Sequence, residues 1–204
     1  MRYHKKAVSP EIVGNLVTML QRNIGGNVLV FGASNVTLAE ELLRTERQIT
    51  IIDIREKAFE KFRPQSHRVD LRLVTEHDEF RGLPPTFDTI VFYDTLHHVD
   101  DKATKIAQCQ ALLRTGGSLV IYEPNIVSKL TREYDQFGVL KNSMYKRTLI
   151  RLLKNHGFSV QLFSAEQLAS RSRLLRPWIV RMQKTTIDPT FRILLLATKL
   201  RQPA

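Results

Sequence analysis

The chain reads as an α/β protein: a doubly wound, mostly parallel seven-stranded sheet with helices on both faces. Three observations predict this. Short apolar runs rich in β-branched residues alternate with stretches of helical periodicity, the pattern of parallel strands joined by helical crossovers. Two of these runs, Thr89–Tyr93 and Ser118–Tyr122, end in polar clusters, Asp94/His97/His98 and Glu123-Pro124-Asn125. An open parallel sheet gathers its ligands at such strand ends. The 204 residues are enough for one domain with a full core, and they contain no repeat, low-complexity tract or linker. Residues 1–204 are therefore expected to form a single domain.

The elements follow in order. Ser9-Pro10-Glu11 is a helix start, with serine as N-cap, proline at the first helical position and a carboxylate in the first turn. Ile12, Leu16, Met19 and Leu20 recur at helical spacing until Gly25-Gly26. Val28–Phe31 is the first strand, Leu38–Arg44 a helix, and Ile49–Ile52 a second strand ending at Asp53. Glu56–Phe62 is a short helix and Asp70–Val74 the third strand. Thr89–Tyr93 is the fourth, followed by a helix over Lys102–Leu113 that ends at the Gly116-Gly117 turn. Ser118–Tyr122 is the fifth strand. Met144–Asn155 is a basic helix closed by His156-Gly157. Phe158–Phe163 and Phe191–Lys199 are the last strands. A basic helical insertion is expected between them at about 164–188, with Ser164 and Gln167 as a capping box and Pro177 dividing it.

Composition narrows the function classes. The apolar and charged fractions, 43% and 25%, are those of an ordinary globular protein. The longest apolar runs, such as Ile193–Thr198, are too short to span a bilayer. The N-terminal MRYHKKAVSPE is basic without the apolar centre of a signal peptide. The one cysteine, Cys109, has no disulfide or metal partner and reads as core filler, so a reduced, cytoplasmic setting is expected. No metal-ligand spacing suggests a zinc site, and no G-x-S-x-G elbow supports a hydrolase. The net charge of +11 is uneven. Residues 27–101 carry 9 basic and 14 acidic side chains, whereas residues 102–204 carry 18 and 5. Within residues 129–184 the balance is 12 to 3. That half is either a solvated basic surface or a face for an anionic partner: phospholipid, nucleic acid or a phosphorylated small molecule.

The segment FDTIVFYDTLHHVDD, a helical interval and then LLRTGGSLVIYEPN resemble the second half of class I S-adenosylmethionine-dependent methyltransferases. Those sequences run FD-x-V, then L-H-H, L-L-x-P-G-G and a strand ending in E-P. The order of elements agrees over about residues 12–199. The resemblance implies a Rossmann-like methyltransferase fold, S-adenosyl-L-methionine as cofactor and a glycine-rich turn after the first strand. Here that turn reads Gly32-Ala33-Ser34-Asn35-Val36. Gly32 matches the family's first glycine, Ser34 and Val36 replace the second and third, and Val30 replaces an acidic residue. Ser34 is small enough for close backbone approach, while a β-branched Val36 disfavours positive φ. The nicotinamide alternative lacks its G-x-G-x-x-G.

Gly32, Ala33 and Ser34 are thus the expected cofactor turn. Asp53, with Ile54 beside it, ends the second strand about twenty residues on, where a carboxylate can accept both ribose hydroxyls. Asp53 can equally cap the helix that follows it. Asp78 or Glu79, shortly before Leu83-Pro84, falls where the resemblance implies an acidic contact to the adenine amino group; a solvated acidic loop is the other reading. Asp94 is assigned to the cofactor's ammonium or backbone region. Methyl transfer needs in-line positioning and, for an oxygen or nitrogen acceptor, a base. His97 or His98 is the natural base, although the resemblance also implies structural histidines in this segment. Glu123 either orients the acceptor or belongs to a turn fixed by Pro124.

The acceptor is expected to be small or lipid-like and anionic. Arg171, Arg173, Arg176, Arg181 and Lys184 lie among Leu174, Leu175, Trp178, Ile179 and Met182. That mixture suits either peripheral contact with an anionic membrane or a cover helix packed on the sheet. Nucleic acid draws on the same charge, but the aromatic platform for stacking bases is thin. The main alternatives to an active methyltransferase are a binding module that has lost catalysis, motivated by Val30, Ser34 and Val36, and an RNA methyltransferase.

Overall fold

A computed structural model of the chain describes residues 25–32, 47–60, 69–75, 80–93, 95–124, 144–163 and 192–200. The strands are β1 (Asn27–Phe31), β2 (Gln48–Asp53), β3 (Val69–Leu73), β4 (Phe87–Tyr93), β5 (Leu113–Pro124), β6 (Phe158–Phe163) and β7 (Arg192–Lys199). They form one seven-stranded sheet in the order β3-β2-β1-β4-β5-β7-β6. The first five strands pair in parallel, and β7 runs antiparallel to both β5 and β6. The mostly parallel α/β sheet expected from the sequence is what forms. The expected N-terminal helix from Ser9, the Leu38–Arg44 helix and the 164–188 insertion lie outside the described residues.

Parallel strands with both faces covered read as continuous apolar runs. Val28, Leu29 and Val30 of β1 are buried accordingly, as are Ile90, Val91 and Phe92 of β4. One face of the sheet carries Leu29, Ile90, Phe92, Leu119, Ile121, Leu195 and Ala197. Onto it pack α1 (Lys102–Leu112) through Ile106, Cys109 and Leu112, and α2 (Lys146–Asn155) through Leu149 and Leu153. Burial pushes the Cys109 thiol far up from its ordinary value, so it is an inert core group.

The boundaries show which local signals act. Asp101 caps α1: its Oδ1 accepts the Thr104 N–H at 3.0 Å and its Oδ2 the Thr104 hydroxyl at 2.6 Å. These bonds hold the Asp101 carboxyl below the usual carboxylate range. At the other end Lys199 Nζ donates to the Gln110 and Leu113 carbonyls, at 2.7 and 2.8 Å. A cation from β7 therefore closes the negative end of α1. The Gly116-Gly117 pair corrects the sequence reading. It does not end the helix but lies in a bulge inside β5, where pairing with β4 shifts from Phe87↔Leu113 to Thr89↔Ser118. Gly116 has φ +77, and a Cβ on Gly117 would come within 2.9 Å of the Arg114 carbonyl oxygen. In α2 the basic residues Arg147, Arg151 and Lys154 face outward. Gly157, at φ +76, ends that helix, as the sequence predicts.

The parallel half of the sheet positions the site. β1, β2, β4 and β5 all deliver their carboxyl ends to one edge, at Gly32, Asp53, the segment after Tyr93, and Glu123.

Candidate active site

Gly32 follows β1 at φ +89, and its N–H donates to the Ile52 carbonyl at 2.8 Å. A Cβ built at this position would overlap Thr95 Cγ2. Only glycine meets both demands, positive φ and close approach. Of the expected cofactor residues, Ala33, Ser34, Asp78, Glu79 and Asp94 lie outside the described residues.

Asp53 ends β2 with its carboxylate 4% exposed. Oδ1 accepts the Arg55 backbone N–H at 2.9 Å and Arg55 Nε at 3.2 Å; Oδ2 lies 3.5 Å from Arg55 Nη2. Arg55 precedes the 3-10 turn Glu56–Phe59, which lies in the described part of the expected Glu56–Phe62 helix. Asp53 thus accepts from both the backbone and the side chain of Arg55. Ile54, next in the chain, is 47% exposed, and Leu73, the register partner of Asp53 on β3, is 57% exposed.

The turn after β4 is organised by Glu123, the inward-facing last carboxylate of β5. Glu123 is 5% exposed. Its Oε1 accepts the backbone N–H groups of Thr95 and Leu96 at 2.8 and 2.6 Å. Its Oε2 accepts the His97 N–H at 3.3 Å and meets His97 Nδ1 at 2.7 Å. One carboxylate therefore collects the open donors at the start of the 3-10 turn Leu96–His98. Because a carboxylate only accepts, Nδ1 carries the proton and the His97 ring orientation is set. The structure separates the two histidines: His97 is buried, while His98 is exposed with its ring 4.0 Å from that of His97. Glu123 is engaged in holding this turn and does not reach out to orient an acceptor.

Two buried lysines on α1 were not singled out from the sequence. Lys102 Nζ donates to the Val99 carbonyl at 2.6 Å. Burial lowers its pKa, and the Glu123 charge pulls it partly back. Lys105 Nζ lies 4.7 Å from the Phe80 ring centroid and 5.5 Å from that of Phe31, a cation–π arrangement inside the protein. Burial lowers its pKa as well. Lys102 lines a small recess with Leu96, His97, Glu123, Met144 and Ile193. Helical spacing hinted at both lysines, since positions 102, 105, 106 and 109 share the inward stripe of α1. Thr95 and Arg55 had no signal in the sequence, because their roles depend on partners from other strands or on a side-chain rotamer.

This sheet order, with a glycine turn after β1 and an acidic residue closing β2, is the Rossmann-like architecture of class I S-adenosylmethionine-dependent methyltransferases. Residues 29–119 match the family model described as a methyltransferase domain. Over 101 residues it is 32% identical to a ubiquinone biosynthesis O-methyltransferase of Xanthomonas euvesicatoria, covering 48% of this chain and 42% of that one. The match thus spans less than half the length of that curated relative. Among solved structures, a SAM-dependent methyltransferase from Archaeoglobus fulgidus superposes with a TM-score of 0.71 at 18% identity, over 94% of this chain and 95% of that one. A Haemonchus contortus phosphoethanolamine N-methyltransferase 2, in complex with phosphomonomethylethanolamine and S-adenosylhomocysteine, gives 0.65 at 16% identity, over 92% and 52%. At these identities the structural likenesses establish the fold.

Proposed function

We propose that the chain transfers the methyl group of S-adenosylmethionine to a small or lipid-like, anionic acceptor in a cytoplasmic setting. The observation that carries this reading is the convergence on one sheet edge of the Gly32 turn, the Asp53 carboxylate and the histidine-bearing turn at Leu96–His98. The residues suit the adenosyl group. Asp53 supplies an acceptor for ribose hydroxyls, Ile54 and Leu73 exposed apolar side chains for the base, and Gly32 a turn without a side chain. Ala33, Ser34, Asp78, Glu79 and Asp94 keep in this proposal the cofactor contacts that the resemblance implies. When bound, the cofactor supplies an electrophilic methyl on a sulfonium.

The protein's own part is positioning and proton removal. We assign His98, exposed at the rim, as the base that takes the acceptor's hydroxyl proton as the oxygen gains the methyl. Glu123 and His97 hold the turn that carries it. Lys102 beside the recess, and the outward Arg147, Arg151 and Lys154 of α2, suit an anionic acceptor or a peripheral anionic surface. The O-methyltransferase name of the relatives supports an oxygen acceptor of the quinol kind. Among the described residues no helix is long and apolar enough to cross a membrane.

A second reading, a module that binds without turnover, draws on Arg55, which is already seated on the Asp53 carboxylate.

Calorimetry with S-adenosylmethionine tests the first step. The wild-type chain should bind, and Asp53→Ala should weaken binding by about 1–3 kcal/mol, or about 5–150-fold. No binding to folded wild type rejects the proposal, and unchanged affinity in Asp53→Ala removes that residue from the site. Turnover is followed by mass spectrometry of quinol and phospho-amine acceptors. His98→Asn should lower kcat about 100-fold, with cofactor affinity retained. Cofactor binding without any methylated product would favour the second reading.

A further inference from the structure

We infer that Thr95 is a positioning residue that locks the acceptor-side turn to the cofactor-side glycine, a role that rests on the methyl-transfer reading above. Thr95, which follows β4, is buried and has three attachments to the ends of two other strands, β5 and β1. Its N–H donates to Glu123 Oε1 at 2.8 Å, at the end of β5. Its hydroxyl donates to the Phe31 carbonyl at 3.0 Å, at the end of β1. Its methyl group occupies the space a side chain at position 32 would take.

The hydroxyl bond matters because of the peptide it grips. The Phe31 carbonyl and the Gly32 N–H belong to one planar unit and point in opposite directions. Thr95 holds the carbonyl side of that plane, and the Ile52 carbonyl on β2 accepts from the N–H at 2.8 Å. Gripped on both sides, the plane is held in place without a ligand, and the chain leaves it at the +89° φ of Gly32. The same Glu123 oxygen that takes the Thr95 N–H also takes that of Leu96, and its partner oxygen takes His97. The chain of bonds therefore runs from the histidine turn through Glu123 and Thr95 to the glycine turn. In-line transfer requires donor and acceptor to be set relative to one another within a fraction of an ångström. Thr95, through its backbone N–H and its hydroxyl, connects the two halves of this edge.

Thr95→Val keeps the shape and deletes the hydroxyl; Thr95→Ser keeps the hydroxyl and deletes the methyl. S-adenosylhomocysteine is the probe, titrated calorimetrically into wild type and both variants, with thermal melting as a control. Thr95→Val should bind about five- to tenfold more weakly, and Thr95→Ser within about twofold of wild type. In turnover, Thr95→Val should raise the cofactor KM, whereas simple loss of folded protein would lower only the apparent kcat. Amide exchange at Gly32 should accelerate in Thr95→Val and not in Thr95→Ser, a readout that needs no ligand. If wild type fails to bind the probe, the methyl-transfer reading falls and this inference with it. If wild type binds and Thr95→Val binds equally well, or Thr95→Ser loses as much as Thr95→Val, this inference alone is overturned.

Discussion

Replacing Glu123 with alanine is expected to lower the unfolding free energy by about 3–5 kcal/mol, because buried donors on the Thr95–His97 segment lose their acceptor together. For a chain of this size that corresponds to a fall in Tm of about 6–20 °C. Glu123→Gln separates the components. Its amide oxygen can still serve Thr95 and Leu96, but its NH2 group would face the His97 N–H and Nδ1, placing donors against donors. About 1–3 kcal/mol should be lost, with the His97 proton moved to Nε2, a change that nitrogen chemical shifts detect directly. Urea unfolding of both variants checks the order alanine, glutamine, wild type. Equal stability of Glu123→Ala and wild type would mean that water replaces the carboxylate and that the turn does not depend on it.

Gly32→Ala carries the second large effect. The backbone there is at φ +89, which costs a residue with a Cβ about 1–3 kcal/mol, and the new methyl meets Thr95 Cγ2. The expected outcome is a loss of at least 2 kcal/mol, by the sum of strain and overlap, and a cofactor affinity reduced more than about tenfold. The two causes can be told apart. Adding Thr95→Ser removes the atom that the methyl strikes, so the double variant should recover the overlap component and keep the backbone strain. A double-mutant cycle read by urea unfolding measures that coupling. Strict additivity would show that the overlap relaxes at no cost and that strain alone acts.

The strands were legible because the parallel sheet buries both of their faces, so their apolar runs are continuous and bounded by turn residues. Each of the seven expected strands appears within two residues of its predicted start, apart from β5. There the Gly116-Gly117 pair marked an interruption correctly, but not its kind. A glycine at positive φ serves a helix end or a bulge equally well, and the choice depends on the register against β4. The basic helix before β6 was read closely for a related reason: Leu149 and Leu153 set its inward stripe, and His156-Gly157 its end.

The site was legible in position more than in role. Asp53, His97, His98 and Glu123 were found because they close strands, which is a statement about sequence order. Their partners were not visible. The sequence leaves Asp53 between ribose and cap, and it does not show the Arg55 backbone N–H and guanidinium that the carboxylate meets. The sequence leaves Glu123 between orienting an acceptor and a turn fixed by Pro124; in the structure it accepts from the backbone of a segment 26 to 28 residues earlier. Lys102 and Lys105 appeared as ordinary charges on a helix. Their burial follows from the packing of α1, with an aromatic pair and a carbonyl beneath it.

What the sequence determined by itself is the class of sheet, the order in which strands and helices alternate, and the edge on which polar residues collect. These follow from periodicity, which is local. Only the tertiary structure decided which of two adjacent histidines is buried, that Glu123 supports a turn, that Arg55 sits on Asp53, and that Thr95 joins three strand ends. For Glu123 and Thr95, hydrogen-bond direction and burial are properties of pairs brought together across 26 to 64 residues of chain. For Arg55 and Asp53, two residues apart, the side-chain rotamer decides, and no local pattern records either.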